Sequence, residues 1–166
     1  DGDPGHYRVI MREWEDPSWR RASGFLGADY VHGRGTAVHV PCYFYSPGEQ
    51  ALRGPVNFGT GSESHRGFCH GGAMTTAMDD VLGHLCFLAA DSGKHGPWRG
   101  ATVQVNCKLS KPVSVGQTLL LEAKVKDQQK TKVTKLTIVA SLTDEDRNVY
   151  ASMEGVAVAG VALQPE

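Results

Sequence analysis

The sequence has no Cys-x-x-Cys pair, and its four cysteines, Cys42, Cys69, Cys86 and Cys107, lie far apart in mostly apolar surroundings. That spacing excludes a disulfide-stapled secreted scaffold and fits buried thiols in a reducing compartment. Charge of neither sign is in excess: 17 Lys and Arg stand against 18 Asp and Glu, a net charge of -1. A surface acting as a trap for nucleic acid is therefore not expected. No uncharged apolar run approaches the roughly 18 residues of a transmembrane helix. The opening Asp1-Gly2-Asp3-Pro4 has neither the basic nor the apolar stretch of a signal peptide, although so abrupt a start leaves room for a targeting segment ahead of it. Internal repeats and low-complexity tracts are absent, which sets aside solenoids and propellers. What remains is an ordinary globular composition, 40% hydrophobic and 21% charged over 166 residues. This is enough chain for one domain spanning residues 1–166 to bury a core without a metal or disulfide staple.

The pattern along the chain divides it. Residues 1–35 hold Trp14, Trp19, Arg20 and Arg21 with several glycines, and suggest an N-terminal cap with a short helix or turn. Thr36 to Tyr45, rich in β-branched and aromatic residues, predicts a strand that tolerates Pro41 at an edge or bulge. Residues 46–69 carry so many Gly and Pro that a long loop is expected there, and a loop of that length in a compact domain is usually functional. From Gly72 to about Ala90 the apolar residues Met74, Met78, Val81, Leu82, Leu85 and Leu88 recur at helical steps, with Ser92-Gly93 and Gly96-Pro97 as stop signals. Beyond, the period falls to two. Val103, Val105, Cys107 and Leu109 alternate with polar residues, and further strands are expected over 118–126, 132–142 and 149–161. Four consecutive strands after one apolar helix predict an α+β fold, an antiparallel meander curved around a covering helix.

Two features carry chemistry. His70-Gly71-Gly72 stands where a glycine-rich segment becomes a helix, and a helix N-terminus offers free N–H groups and a positive dipole end to developing negative charge. Asp79 lies within that helix beside the apolar stripe. Asp80, about 100° further round, is expected to be solvated. Nine residues at about 1.5 Å rise separate His70 from Asp79 by roughly 13 Å, too far to serve one reacting atom. If both act, two helices must run antiparallel so that the glycine end of one chain meets Asp79 of another across a two-fold interface.

His70-Gly71-Gly72 with Asp79 nine residues on, then Thr102-Val103-Gln104-Val105-Asn106-Cys107 leading to Lys111-Pro112, resembles the hotdog-fold acyl-CoA thioesterases. The likeness is to the PaaI-like branch typified by human thioesterase superfamily members four and five, and it covers about residues 65–160. The resemblance implies a hotdog fold, a long central helix wrapped by a curved antiparallel sheet. It also implies a homodimer with active sites at the subunit interface, with further pairing into a dimer of dimers. By the same resemblance, the Gly71 N–H polarises the thioester carbonyl and Asp79 acts from the partner as general base or nucleophile. Thr102 positions the attacking water, and His70 orders the loop. Some relatives carry Asn six residues before the histidine as a second oxyanion donor; Ser64 stands there, and its hydroxyl also donates. Coenzyme A needs cations and hydroxyls for its phosphates, expected from Lys108, Ser110, Lys130, Thr131 and Lys132, with Lys111 beside them. Pantetheine and acyl group are expected against Gly72 and Met78.

The expected activity is hydrolysis of a medium- to long-chain fatty acyl-CoA to CoA and free acid, within lipid metabolism, by an intracellular enzyme of cytoplasm or mitochondrion. No cofactor is expected, coenzyme A being part of the substrate. His65, Cys69, His70, His84 and Cys86 crowd together in sequence, but they lack paired ligand spacings, and His84 and Cys86 diverge by about 200° on a helix, so no metal site is expected. The alternatives are a hotdog hydratase or dehydratase acting on the same acyl carriers and a non-catalytic acyl-CoA-binding protein.

Overall fold

The computed structural model describes residues 5–32 and 37–162. The N-terminal segment supplies β1 (Arg8–Val9), a 3-10 turn at Glu13–Glu15 and α1 (Pro17–Ala22). Asp16 starts α1, its carboxylate accepting from the N–H groups of Ser18 and Trp19, both at 2.8 Å, with Pro17 at the first helical position. Next come β2 (Val38–His39), β3 (Phe44–Ser46), β4 (Ala51–Phe58), β5 (Glu63–His65), β6 (Phe68–Cys69) and α2 (Gly71–Ala89). The chain finishes with β7 (Gly100–Leu109), β8 (Thr118–Lys130), β9 (Thr134–Thr143) and β10 (Val149–Ala159).

The main sheet is antiparallel in the order β1-β3-β4-β8-β9-β10-β7, with β2 also on β4, while β5 and β6 form a separate hairpin. Register irregularities in β8 at Val125/Asp127 and in β10 at Val156/Ala157 accompany its curvature. The sheet wraps α2, whose Met74, Ala77, Met78, Val81, Leu82 and Leu85 are buried in one core with Leu52, Val56, Leu121, Ile138 and Leu142. The helix lies close against β10 at Gly155. A Cβ on Gly155 would collide with Leu82 Cδ1 and lie 3.0 Å from the Gln104 carbonyl oxygen. Helix α2 stops where Asp91 and Ser92 turn left-handed, with φ of 47° and 57°. The Asp91 carboxylate holds that turn, accepting from Lys130 and, at 2.7 Å each, from Thr134 Oγ1 and His95 Nε2.

Three sequence expectations change. The span 46–69 is not a loop but contains β4 and the β5–β6 hairpin. Its glycine and proline sit in β4 for specific reasons. A Cβ on Gly54 would lie 2.5 Å from the Cys42 carbonyl oxygen and 2.8 Å from Tyr43 Cδ1, so glycine makes room for the Tyr43 ring. Pro55 lies where β4 has no partner on one side, between its pairing with β3 at 51–53 and with β2 at 57–58. The strand expected over 36–45 is two short strands parted around Pro41; Thr36 lies outside the described residues. The last four strands are not a simple meander either, because β7 pairs with β10 at the sheet edge and not with β8. Its expected inward row is only partly inward: Val105 and Cys107 are half-buried, but Val103 is 63% and Leu109 46% exposed.

Candidate active site

Helix α2 begins in a loop that orders itself. His70 is its N-cap with extended backbone, donating its N–H to the Ser62 carbonyl at 2.7 Å and accepting the Gly72 N–H on Nδ1 at 2.8 Å. The histidine therefore satisfies one orphan donor of the helix start, and its proton sits on Nε2. The Gly71 N–H, the first of the helix, has no acceptor among the described residues. A side chain at 72 would press on His70 Nδ1 at 2.8 Å, the atom that accepts the Gly72 N–H, whereas one at 71 would meet only the flexible tip of the exposed Leu109.

From this end an open groove of about 470 Å³ runs between α2 and β7, lined by Gly72, Thr75, Thr76 and Asp79 on the helix and by residues 102–105 on the strand. A second cavity of about 480 Å³ lies beyond it, under the N-terminal segment. Trp14, Phe25, Tyr30, Phe87 and Trp98 line it, with Asp29, His32, Asp80 and His84 among them. Asp79 and Thr102 line both spaces. One exposed carboxylate and one exposed hydroxyl thus mark the junction of a polar groove and an aromatic chamber.

Asp80 departs from expectation. Its side chain is 12% exposed and not solvated, because the turn of about 100° from Asp79 carries it under the N-terminal segment. Its Oδ2 accepts from the Tyr43 hydroxyl at 2.7 Å and meets His32 Nε2 at 3.0 Å, while His84 Nδ1 sits 2.9 Å from the Asp80 carbonyl oxygen. His32 Nδ1 in turn lies 3.0 Å from Asp29 Oδ1. Burial lowers the affinity of His32 for a proton, but the two carboxylates outweigh it and hold the imidazole at about 9. Burial likewise works to raise Asp29 and Asp80, and the bonds from His32 reverse it, so Asp29 is held well below the usual carboxylate range and Asp80 is also lowered. His84 is driven down by burial and remains neutral. Tyr43 is pushed well up by burial and the neighbouring Asp80 charge. His32, Asp80 and His84 offer three donor atoms within 4.8 Å of one another, the one group of metal-ligand type among the described residues. In this geometry His32 Nε2 is engaged by Asp80 Oδ2 and His84 Nδ1 by the Asp80 carbonyl, so the cluster is a hydrogen-bonded ion network.

Residues 66–153 match the family model of the thioesterase superfamily, and the chain belongs to that superfamily. No curated protein sequence matches it significantly. The hotdog arrangement of one central helix in a curved antiparallel sheet is shared with zebrafish thioesterase superfamily member 2, 19% identical, over 86% of this chain and 93% of that one, with a TM-score of 0.62. It is shared also with the PaaI protein of the Escherichia coli phenylacetic acid degradation operon, 14% identical, over 90% and 91% of the two chains at a TM-score of 0.57. A Streptococcus mutans protein solved bound to acetyl CoA is 18% identical, over 69% and 86%, at a TM-score of 0.58.

Within the chain, Asp79, Thr102 and Gly72 come together on the groove, while His70 and Gly71 stand just before Gly72 at the helix start and do not line it. Ser64 is exposed on the β5–β6 hairpin and does not line the groove; the serine that contacts the His70 loop is Ser62. Met78 is fully buried in the core and lines neither space. Lys108 and Ser110 lie near the helix start, while Lys130 is tied to Asp91 at the helix end, with Thr131 and Lys132 in the adjoining β8–β9 turn. A helix of 19 residues puts those two sets roughly 27 Å apart along α2. Sequence reading assigned no function to Trp14 and Arg20, which line the chamber, and did not single out His32, Tyr43 or Trp98. Their convergence depends on tertiary placement that no local pattern announces. No helix among the described residues is long and apolar enough to cross a membrane.

Proposed function

We propose that the protein hydrolyses acyl-CoA thioesters, with pantetheine in the open groove, the acyl group in the aromatic chamber and the thioester at Asp79 and Thr102. The observation that carries this is that these two residues alone line both spaces. In the reaction, Asp79 takes a proton from a water held by Thr102 and the water oxygen bonds to the thioester carbon. The oxyanion is met by a backbone N–H, and the carbon–sulfur bond breaks to release the CoA thiolate, which is then protonated. One well-aimed N–H is worth about 3–4 kcal/mol to such an oxyanion. The free Gly71 N–H suits that role but belongs to the far end of the same helix, so the working unit is a homodimer in which the partner supplies it, with pairing into a tetramer. The split of cationic residues between the two ends of α2 agrees with this: antiparallel helices would bring Lys130, Thr131 and Lys132 of one protomer toward Lys108 and Ser110 of its partner, around the CoA phosphates. A Streptococcus pneumoniae thioesterase of the same fold was solved with coenzyme A. The acyl group we assign is a medium- to long-chain fatty one, and the reaction uses no separate cofactor.

The test is thiol release from a panel of acyl-CoAs of increasing length by the wild type and Asp79→Asn. Turnover that falls about a hundredfold in the variant supports both reaction and carboxylate. Binding of acyl-CoA without turnover by the wild type would make the protein a binding module instead.

A further inference from the structure

The N-terminal segment is moored to the body at two places of different kinds. At its start, β1 pairs with β3 through two residues, Arg12 Nη2 donates to the Val40 and Pro41 carbonyls at 2.8 and 2.9 Å, and Trp14 is buried against Phe87 and Trp98 at ring distances of 5.8 and 5.9 Å. Beyond Trp14 the apolar mooring fades. No residue of α1 is buried, Leu26 and Tyr30 are exposed, and the next buried residues are Val31 and His32. There the attachment joins Val31 in the apolar core to an ionic contact, His32 between Asp29 and Asp80. Asp29 is organised to receive it, its Oδ1 accepting the N–H groups of Val31 at 3.1 Å and His32 at 2.7 Å, with Arg20 Nη1 3.7 Å from Oδ2. Asp80 is steadied from the opposite side by Tyr43, on the sheet.

The stretch so attached forms one wall of the chamber, contributing Phe25 and residues 28–32, with the Phe25 ring tilted against Trp98 at 5.2 Å. The opposite wall carries Asp79, one residue from the far end of the ionic attachment. The outer wall is therefore tied to the helix at the residue next to Asp79, through His32 and Asp80, beside its apolar contacts at Phe25 and Val31. An apolar contact would tolerate sliding, whereas a buried ion pair with Nε2 hydrogen-bonded to Asp80 and Nδ1 3.0 Å from the Asp29 carboxylate fixes one position.

We propose that the buried His32–Asp80 pair is a latch that holds residues 25–32 as the outer wall of the acyl chamber and so sets the longest acyl group accepted. This rests on the thioesterase reading for its substrate but not for its geometry. Two measurements separate the two ideas. In the first, kcat/KM is recorded against acyl-chain length for the wild type and His32→Gln, which keeps a hydrogen-bonding group but not the charge. The variant's optimum should move to longer chains by about two to four carbons, with the ratio of long- to short-chain kcat/KM rising about tenfold. In the second, limited trypsin cleavage after Arg20 and Arg21 should quicken about tenfold in the variant, because release of 25–32 frees α1. Tyr43→Phe, which removes one hydroxyl donor to Asp80 and no charge, should give both effects in the same direction at smaller size, and it serves in place of His32→Gln if the latter does not fold. A folded variant with unchanged chain-length profile and unchanged cleavage overturns the latch. A wild type with no turnover on any acyl-CoA overturns the enzymatic reading, and the trypsin result then still decides the latch.

Discussion

Asp79 and Asp80 are adjacent in sequence, yet they stand in two regions built on opposite terms. The Asp79 side of α2 is an open groove against an edge strand, where the carboxylate, Thr102 and Val103 are all exposed. The Asp80 side is closed, its carboxylate satisfied by Tyr43 and His32 and covered by a segment with few buried apolar residues. The pairing teaches that one turn of helix can carry a group left free to act and a group fully committed to holding shape. What separates them is the presence of a cover on one side only. It also warns that a buried carboxylate with strong partners is not by that fact the reactive one; its partners keep it from moving a proton.

Breaking the comparison on the open side should have the largest effect on activity. Asp79→Asn should lower kcat about a hundredfold, near 2.7 kcal/mol of barrier, with little change in thermal unfolding. On the closed side the balance reverses. Asp80→Ala leaves the His32 imidazolium buried with one partner fewer and should cost about 3–5 kcal/mol of stability by denaturant unfolding. Thr102→Ala, which removes a hydroxyl at the junction but no charge, should slow turnover about tenfold. The smallest effect sharpens the contrast through pH. His32 is raised when folded, so its stabilisation is full below its unfolded value of about 6.5 and is lost as pH climbs through about 9. Asp29 and Asp80 are lowered, so theirs is present above about 3.9 and is lost as pH falls through their folded values. Thermal unfolding should therefore peak near about pH 6.5, decline gradually toward about pH 9, and fall on the acid side, first as unfolding lets the buried neutral His84 take up a proton and then more steeply as the carboxylates are protonated. In His32→Gln the decline between about pH 6.5 and 8 should be absent, leaving the part above about 8.5 that comes from the buried thiols.

Legibility in the sequence followed the same divide. Helix α2 and strands β7 to β10 were visible because each keeps a clean period over many residues, and the Asp79, Thr102 and Gly72 set follows from motifs lying on those elements. β4 was hidden because Gly54 and Pro55 resemble loop punctuation, although each answers to a neighbour in space. The partner of β7 was hidden because sheet order depends on a crossover, and period-two alternation specifies a strand without saying what lies beside it. Asp80 was misjudged since helical geometry gives only its direction, and the cover that buries it comes from residues some 50 positions earlier with no periodicity of their own. Ser64 lies exposed on β5 and, like Gly71, outside the groove of its own protomer.

Gly54 gives that remoteness a further meaning. It lies on β4 and lines neither the groove nor the chamber, yet the space it leaves is filled by the Tyr43 ring, whose hydroxyl reaches Asp80. A single methyl group added there would push the ring off its seat and loosen the donor that steadies the carboxylate. If the latch sets chain length, substrate preference is thus open to drift at a position that lines neither space, through one atom that the sheet must not have.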